Sequence, residues 1–223
     1  MQIEPGVVNG AKIGLSYATA AGTGAVGLYH AAQALKERGA LSLVARSLTA
    51  ATLTFIFFEV LPHFPVGVSE VHLILGSTLF LVLGAGPAAI GLALGLLVQG
   101  LFFAPFDLPQ YGMNVTTLLV PMFVMMEVAK RTIAQGTAYV DLAYVQVLRL
   151  SLVYQGGIVA WVAFWAIYGQ GFGNLAGIAS FGAAYMSVVL LEPLVDLAVL
   201  AVAKTLRGKV PAALVTDRLY AAA

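Results

Sequence analysis

Of the three histidines in 223 residues, two fall in one short stretch: His63 and His72 lie within Leu61 to His72, with Glu70 between them. Imidazole nitrogens and a carboxylate oxygen are metal donors, and nitrogen-rich sets suit Ni, Cu, Co and Zn. A further nitrogen stands at the start of the chain. Gln2 is bulky, so Met1 is expected to be retained with a free amine. Such an amine titrates near 7.7–8.0, so a metal can displace its proton around neutral pH. Met1, His63 and His72 then offer three nitrogen donors. Eight intervening positions in a loop fix no geometry, so metal binding stands beside structural readings of the same residues. Glu59 closes an apolar run and is open as ligand, as partner of a ligand, or as structural partner. Glu70 and Asn114 are candidates to support the ligands. His30 stands far from the other two and reads as structural. Met122, Met125 and Met126 read as core packing.

The elements that must hold this stretch are apolar. The chain is 61% hydrophobic and 9% charged, against about 25% charged in a soluble domain, and this defines a multi-pass membrane protein. A spanning helix needs about 20 mostly apolar residues. Seven all-α spans are expected, at about 11–35, 43–61, 72–83, 88–104, 115–133, 142–168 and 175–203. The third, opened by His72, is short. Continuous rather than alternating apolar runs argue against strands. One membrane domain, 1–223, is expected, with an N-terminal loop at 1–10, outer loops at 62–72 and 105–114, and a tail at 204–223. No cleaved signal pattern opens the chain.

Basic residues set the orientation. Lys36, Arg38, Arg46, Lys130, Arg131, Lys204, Arg207, Lys209 and Arg218 all fall on one side of a seven-span threading. The positive-inside rule places that side, with the C-terminus, in the cytoplasm and the N-terminus outside. Met1, His63, Glu70, His72, Asp107 and Asn114 then share the outer face.

Several function classes are excluded or weakened. With no Cys there is no thiolate site or thiol nucleophile. The net charge of +1 leaves no nucleic-acid footprint. No Gly-x-Ser-x-Gly, His-Glu-x-x-His or Gly-x4-Gly-Lys-Ser/Thr pattern occurs, so no enzyme activity is expected and no ATP hydrolysis by a phosphate loop. Within the bilayer, Glu127, Arg149, Glu192 and Asp196 are the charged residues. Arg149 is expected to pair with one of the acids, because an unpaired charge there is expensive. Pro121 is expected to kink its helix. Trp161 and Trp165 read as interface anchors, and Ala18 and Gly22 as a close-packing pair, either inside the bundle or as a docking face for another membrane protein. Asn114 could cap the helix that follows it.

Three elements together resemble the cobalt/nickel substrate-capture subunit of energy-coupling-factor transporters, the CbiM/NikM family. Met1-Gln2-Ile3-Glu4-Pro5-Gly6 matches the family's Met-His-Ile-x-x-Gly opening except at Gln2. His72, Gly76 and Gly86-Pro87 match a histidine that opens a Gly-rich helix ending in Gly-Pro. Gly112-Met113-Asn114 and Pro121 match a Gly-x-Asn element before an apolar run. The resemblance covers most of the chain. It implies a bacterial inner-membrane subunit that captures Co2+ or Ni2+ as transported substrate, with no cofactor of its own. It implies partners: a transmembrane coupling subunit and cytoplasmic ATPase subunits, in the lipid bilayer. It implies ligands at Met1, Gln2 and His72. Gln2 stands where the family has a histidine. Its backbone nitrogen remains a donor, while its side-chain amide is a poor ligand for these metals. Three consequences stay open: His63 supplies the fourth donor, the metal binds more weakly, or the cargo is something else. Two further readings also remain: a self-sufficient carrier or channel lined by Glu127, Arg149, Glu192 and Asp196, and a non-transporting scaffold subunit.

Overall fold

The computed structural model describes residues 2–221. Seven α-helices dominate: α1 Ile13–Phe55, α2 Gly76–Leu83, α3 Ala85–Phe102, α4 Tyr111–Thr132, α5 Tyr144–Gln170, α6 Leu175–Met186 and α7 Glu192–Thr205. Among the described residues four segments are long and apolar enough to cross a membrane: Gly10–Val60, Ala85–Phe102, Pro105–Thr132 and Tyr144–Thr205. Two of them contain broken helices, and the molecule is predominantly helical and multi-pass.

The breaks differ from the expected boundaries. The first two expected spans are the halves of α1, which stays helical up to a kink at Gly39 (φ 78°, ψ 174°), a conformation that suits a residue without Cβ. The last expected span divides into α6 and α7. A short 3-10 turn, Ser187–Leu190, separates them, and Pro193 then opens α7, where a missing N–H does no harm. α2 has eight residues, about 12 Å of rise, well short of a bilayer core. It starts at Gly76 rather than at His72. Leu75 caps it from the left-handed region (φ 52°), which a non-glycine residue enters only at a cost of about 1–3 kcal/mol.

Helix packing follows the glycines of α3. A Cβ on Gly86 would strike the His30 carbonyl of the first half of α1, and one on Gly95 would strike Thr54 of the second half. Both halves of α1 therefore approach α3 at backbone distance, as small residues permit in lipid. Ala18 and Gly22 do not take part. Both are exposed, and nothing lies within 4 Å of the Gly22 position. That pair faces outward beside an open apolar groove of about 640 Å³ between α1 and α4. Met122, Met125 and Met126 are buried in the core.

A two-stranded antiparallel hairpin, β1 Phe64–Val66 and β2 Ser69–Val71, occupies the stretch between the histidines, contrary to the expectation of no strands. Its two-residue loop begins with Gly67 at φ +66°, the arrangement of a II′ turn. The hairpin is too short to leave a period in the sequence.

Several charged residues also sit elsewhere than expected. Arg46 is fully buried rather than part of a solvated basic loop. Its Nη1 donates to the Leu83 carbonyl (3.0 Å), tying down the α2–α3 junction. Arg149 is exposed and makes no ion pair among the described residues. Glu127 pairs with Lys130 (2.6 Å) at the surface. Trp165 is fully buried, so it is a core residue and not an anchor, while Trp161 donates to Thr116 Oγ1 (3.1 Å). α4 runs as a continuous helix through Pro121.

Candidate functional site

The N-terminal segment lies as an extra extended strand against the hairpin. Ile3 bridges Ser69 in antiparallel fashion. The Glu70 N–H donates to the Gln2 carbonyl (2.9 Å), and the Ser69 hydroxyl donates to the same oxygen (2.7 Å). The Glu4 N–H reaches the Val68 carbonyl (3.3 Å), and the Ile3 N–H donates to Asn114 Oδ1 (2.8 Å). Asn114 is thus not a helix cap. It stands one turn inside α4, buried, and holds the N-terminal strand. Apolar burial locks the same segment, since Ile3 and Val8 are fully buried and Val7 nearly so. Gly169 of α5 lies against the Val7 carbonyl, too close to admit a Cβ. The Lys12 ammonium donates to the Tyr168 and Gly169 carbonyls (3.0 and 2.9 Å).

The histidines come together on this frame. The rings of His63 and His72 stack at 4.8 Å between centroids, 16° from parallel, and the Phe58 ring lies 4.7 Å from that of His72. His72 is 1% exposed. Burial pushes its pKa down to about 3, against the opposing pull of the Glu70 carboxylate, so the imidazole is neutral. Its Nε2 lies 2.9 Å from Glu70 Oε2. With the Nε2 hydrogen committed to Glu70, the lone pair falls on Nδ1, which is buried with no partner. A carboxylate that orients an imidazole in this way leaves the second nitrogen as a metal donor. The hydrogen bond to His72 also draws the Glu70 pKa down.

Gln2 is 4% exposed, with its amide wedged among Glu70, Asp107 and Gln99. The orientation that pairs it with the acids turns the amide nitrogen to Glu70 Oε2 (2.9 Å) and Asp107 Oδ2 (3.3 Å), with its oxygen facing Gln99. The side chain therefore works as a brace between acids. A cavity of about 10 Å³ beside it is at the lower limit for one water. Glu59 lies 3.4 Å from Gln99 Nε2, at the edge of the same cluster. Burial, then the Glu70 charge, raises the Glu4 pKa. Glu4, Glu59, Glu70 and Asp107 thus gather at one end of the molecule, where a cation is favoured.

Of the expected site residues, Gln2, His63, His72, Glu59, Glu70 and Asn114 all converge here. Met1 lies outside the described residues. Gln99 and Asp107 were not among the candidates, and the clustering of acids within the expected outer loops is the signal that could have brought in Asp107. Gln99, inside an apolar glycine-rich helix, left only its polarity as a clue. Among the described residues no group of three His, Cys, Asp or Glu side chains is arranged to hold a metal ion. A metal at this end would need backbone or terminal nitrogen as well. Glu127 and Arg149 lie on the surface and do not join Glu192 and Asp196, so the four expected pathway residues do not form one lining.

An apolar helical bundle of this kind, with a polar cation-attracting end, defines a multi-pass membrane protein. The sequence matches, over residues 2–210, the family described as cobalt uptake substrate-specific transmembrane region (CbiM), and the chain belongs to that family. A solved structure with the same fold is described as the crystal structure of a truncated transition metal transporter. It is 17% identical, with a TM-score of 0.67, over 94% of this chain and 99% of that one. Comparison with curated proteins gave no match. Membership of this family makes the chain a metal-uptake transporter component rather than an enzyme in the usual sense.

Proposed function

We propose that the chain is the capture subunit of an energy-coupling-factor transporter and takes up Co2+ or Ni2+ at the end formed by residues 2–4, the hairpin, Gln99, Asp107 and Asn114. The observation that carries this reading is the N-terminal strand sewn to the hairpin beside His72, which sets the start of the chain next to a neutral imidazole with a free Nδ1 lone pair. The donors are the Met1 amine, the Gln2 backbone nitrogen and His72 Nδ1, with His63, already stacked on His72, as the fourth. The Gln2 carbonyl is taken by Glu70 and Ser69, while its backbone N–H makes no hydrogen bond to a described residue. Its side chain braces the acids in place of coordinating. A nitrogen-rich set of this kind suits Ni2+ and Co2+ among divalent ions.

This end faces outward and the basic C-terminal tail faces the cytoplasm, in keeping with the placement of Lys and Arg. Energy comes from a transmembrane coupling subunit and cytoplasmic ATPase subunits, because the chain has no phosphate loop of its own. Residues 1–223 form one membrane domain.

The test is calorimetric titration of Co2+ and Ni2+ into detergent-purified protein with a native N-terminus. One tight site is expected. His72→Ala should lose more than the about 10–100-fold typical of supporting residues, and unchanged affinity would remove the site. An N-terminal extension should weaken binding, and indifference to it would take the amine out of the ligand set. Gln2→His should tighten binding if the fourth position is underfilled, whereas no gain would assign that position to His63.

A further inference from the structure

A second polar cluster lies inside the bundle, away from the capture end. Glu192 and Asp196, one helical turn apart on α7, are both fully buried. Ser77 of α2 stands between them, its Oγ 3.0 Å from Glu192 Oε1 and 2.7 Å from Asp196 Oδ2. The Thr78 hydroxyl donates to Asp196, and the Ser151 hydroxyl of α5 donates to Glu192.

Counting protons bears on the charge state. Ser77 has one hydroxyl proton and touches two carboxyl groups, so only one contact can use it. The other needs a proton on the carboxyl group itself, or a cation in its place. No Lys, Arg or His of the described residues pairs with either acid. The titratable groups facing the pair from neighbouring helices are the phenols Tyr154 of α5 and Tyr185 of α6, both fully buried and both with an unpartnered hydroxyl. α2 contributes no titratable group. Two bare carboxylates in a lipid-embedded core without a counter-charge are prohibitively costly.

Gln155 points to a ligand. Its side chain is fully buried on α5, with the amide nitrogen turned to Glu192, and its amide oxygen has no hydrogen-bond partner. Buried amides are rarely left so. An amide oxygen, two carboxylates and a serine hydroxyl make an all-oxygen donor set for a hard divalent cation. A divalent ion would neutralise both carboxylates at once. The connection to the capture end is short: Ser77 follows His72 by five residues, across the strained Leu75.

We infer that Glu192, Asp196, Ser77 and Gln155 form an interior cation-exchange site, which holds a proton when empty of metal and releases it to a divalent cation entering from the capture end. The carboxyl O–H bond breaks, the proton leaves to solvent, and carboxylate–metal contacts form, with no oxidation or reduction. The cargo half of this inference rests on the proposed function; the proton half does not.

Infrared difference spectroscopy of the full chain in detergent tests it, with Co2+ as probe. At neutral pH the metal-free protein should show a protonated-carboxyl C=O band that shifts in D2O. The band should disappear or move in Glu192→Gln or Asp196→Asn, which keep shape and hydrogen bonding. Saturating Co2+ should bleach it in wild type, and in His72→Ala at higher concentration. Should either variant fail to fold, the D2O shift and the Co2+ bleach in wild type still decide. Absence of the band overturns the inference, as does a band that ignores Co2+ while calorimetry reports Co2+ bound. Failure of wild type to bind Co2+ at all would instead refute the proposed function, leaving the band itself to judge the proton.

Discussion

The two polar regions of this molecule are built in opposite ways. The capture end is sewn from loops: an N-terminal strand, a six-residue hairpin pair and the starts and ends of helices, joined by backbone hydrogen bonds. Its proposed donors are imidazole and backbone nitrogens, and Glu4, Glu59 and Glu70 sit half-buried around them with Asp107 buried. The interior cluster is held on three helices, its donors are all oxygen, and its acids are fully buried. Loops can open and admit a hydrated ion. Packed helices hold charge only when it is neutralised, so the interior acids require a proton or a cation.

Substitutions can separate the regions. The largest effect is expected at the hairpin tip. A Cβ on Gly67 would collide with the Gly177 backbone of α6 and would also sit at φ +66°. Gly67→Ala should destabilise the capture end by about 3 kcal/mol and sharply weaken Co2+ binding while leaving the interior carboxyl band in place; loss of both together would mean that the regions fold as one unit. Ser77→Ala is expected to do the reverse. It removes the bridge between the two buried acids at about 2 kcal/mol, with the Co2+ affinity of the capture end unchanged by calorimetry.

A pH effect of intermediate size belongs to the capture end alone. His72 has its pKa lowered from 6.5 to about 3 by burial. The unfolded chain gains that proton first, so stability present above pH 6.5 is lost as pH falls from 6.5 towards 3. The slope is at most about 1.4 kcal/mol per pH unit. Melting temperatures between pH 7.5 and 4.5 should fall for wild type and fall less for His72→Gln; parallel curves would show that His72 is not buried neutral. The smallest change is Asn114→Ala. It strands the buried Ile3 N–H at about 1 kcal/mol and should loosen Co2+ binding a few-fold, whereas an unaltered affinity would show that the N-terminal strand is positioned without it.

Composition and periodicity decided the class of this protein, because a chain so apolar has no other solvent than lipid, and the lengths of its apolar runs follow bilayer thickness. They also marked the stretch around His63 and His72, since polar residues between apolar runs must collect at a membrane face. Most helix cores were legible for the same reason. What needed the tertiary structure were features that depend on partners distant in sequence. The hairpin is three residues a side and leaves no period. Arg46 reads as a solvated loop charge until the Leu83 carbonyl is seen above it. Glu192 and Asp196 read as partners for Arg149 until α2 and α5 supply hydroxyls instead. Gln2 reads as a damaged ligand until Glu70, Asp107 and Gln99 surround its amide. In each case local sequence states which groups are polar, and only packing decides which of them meet.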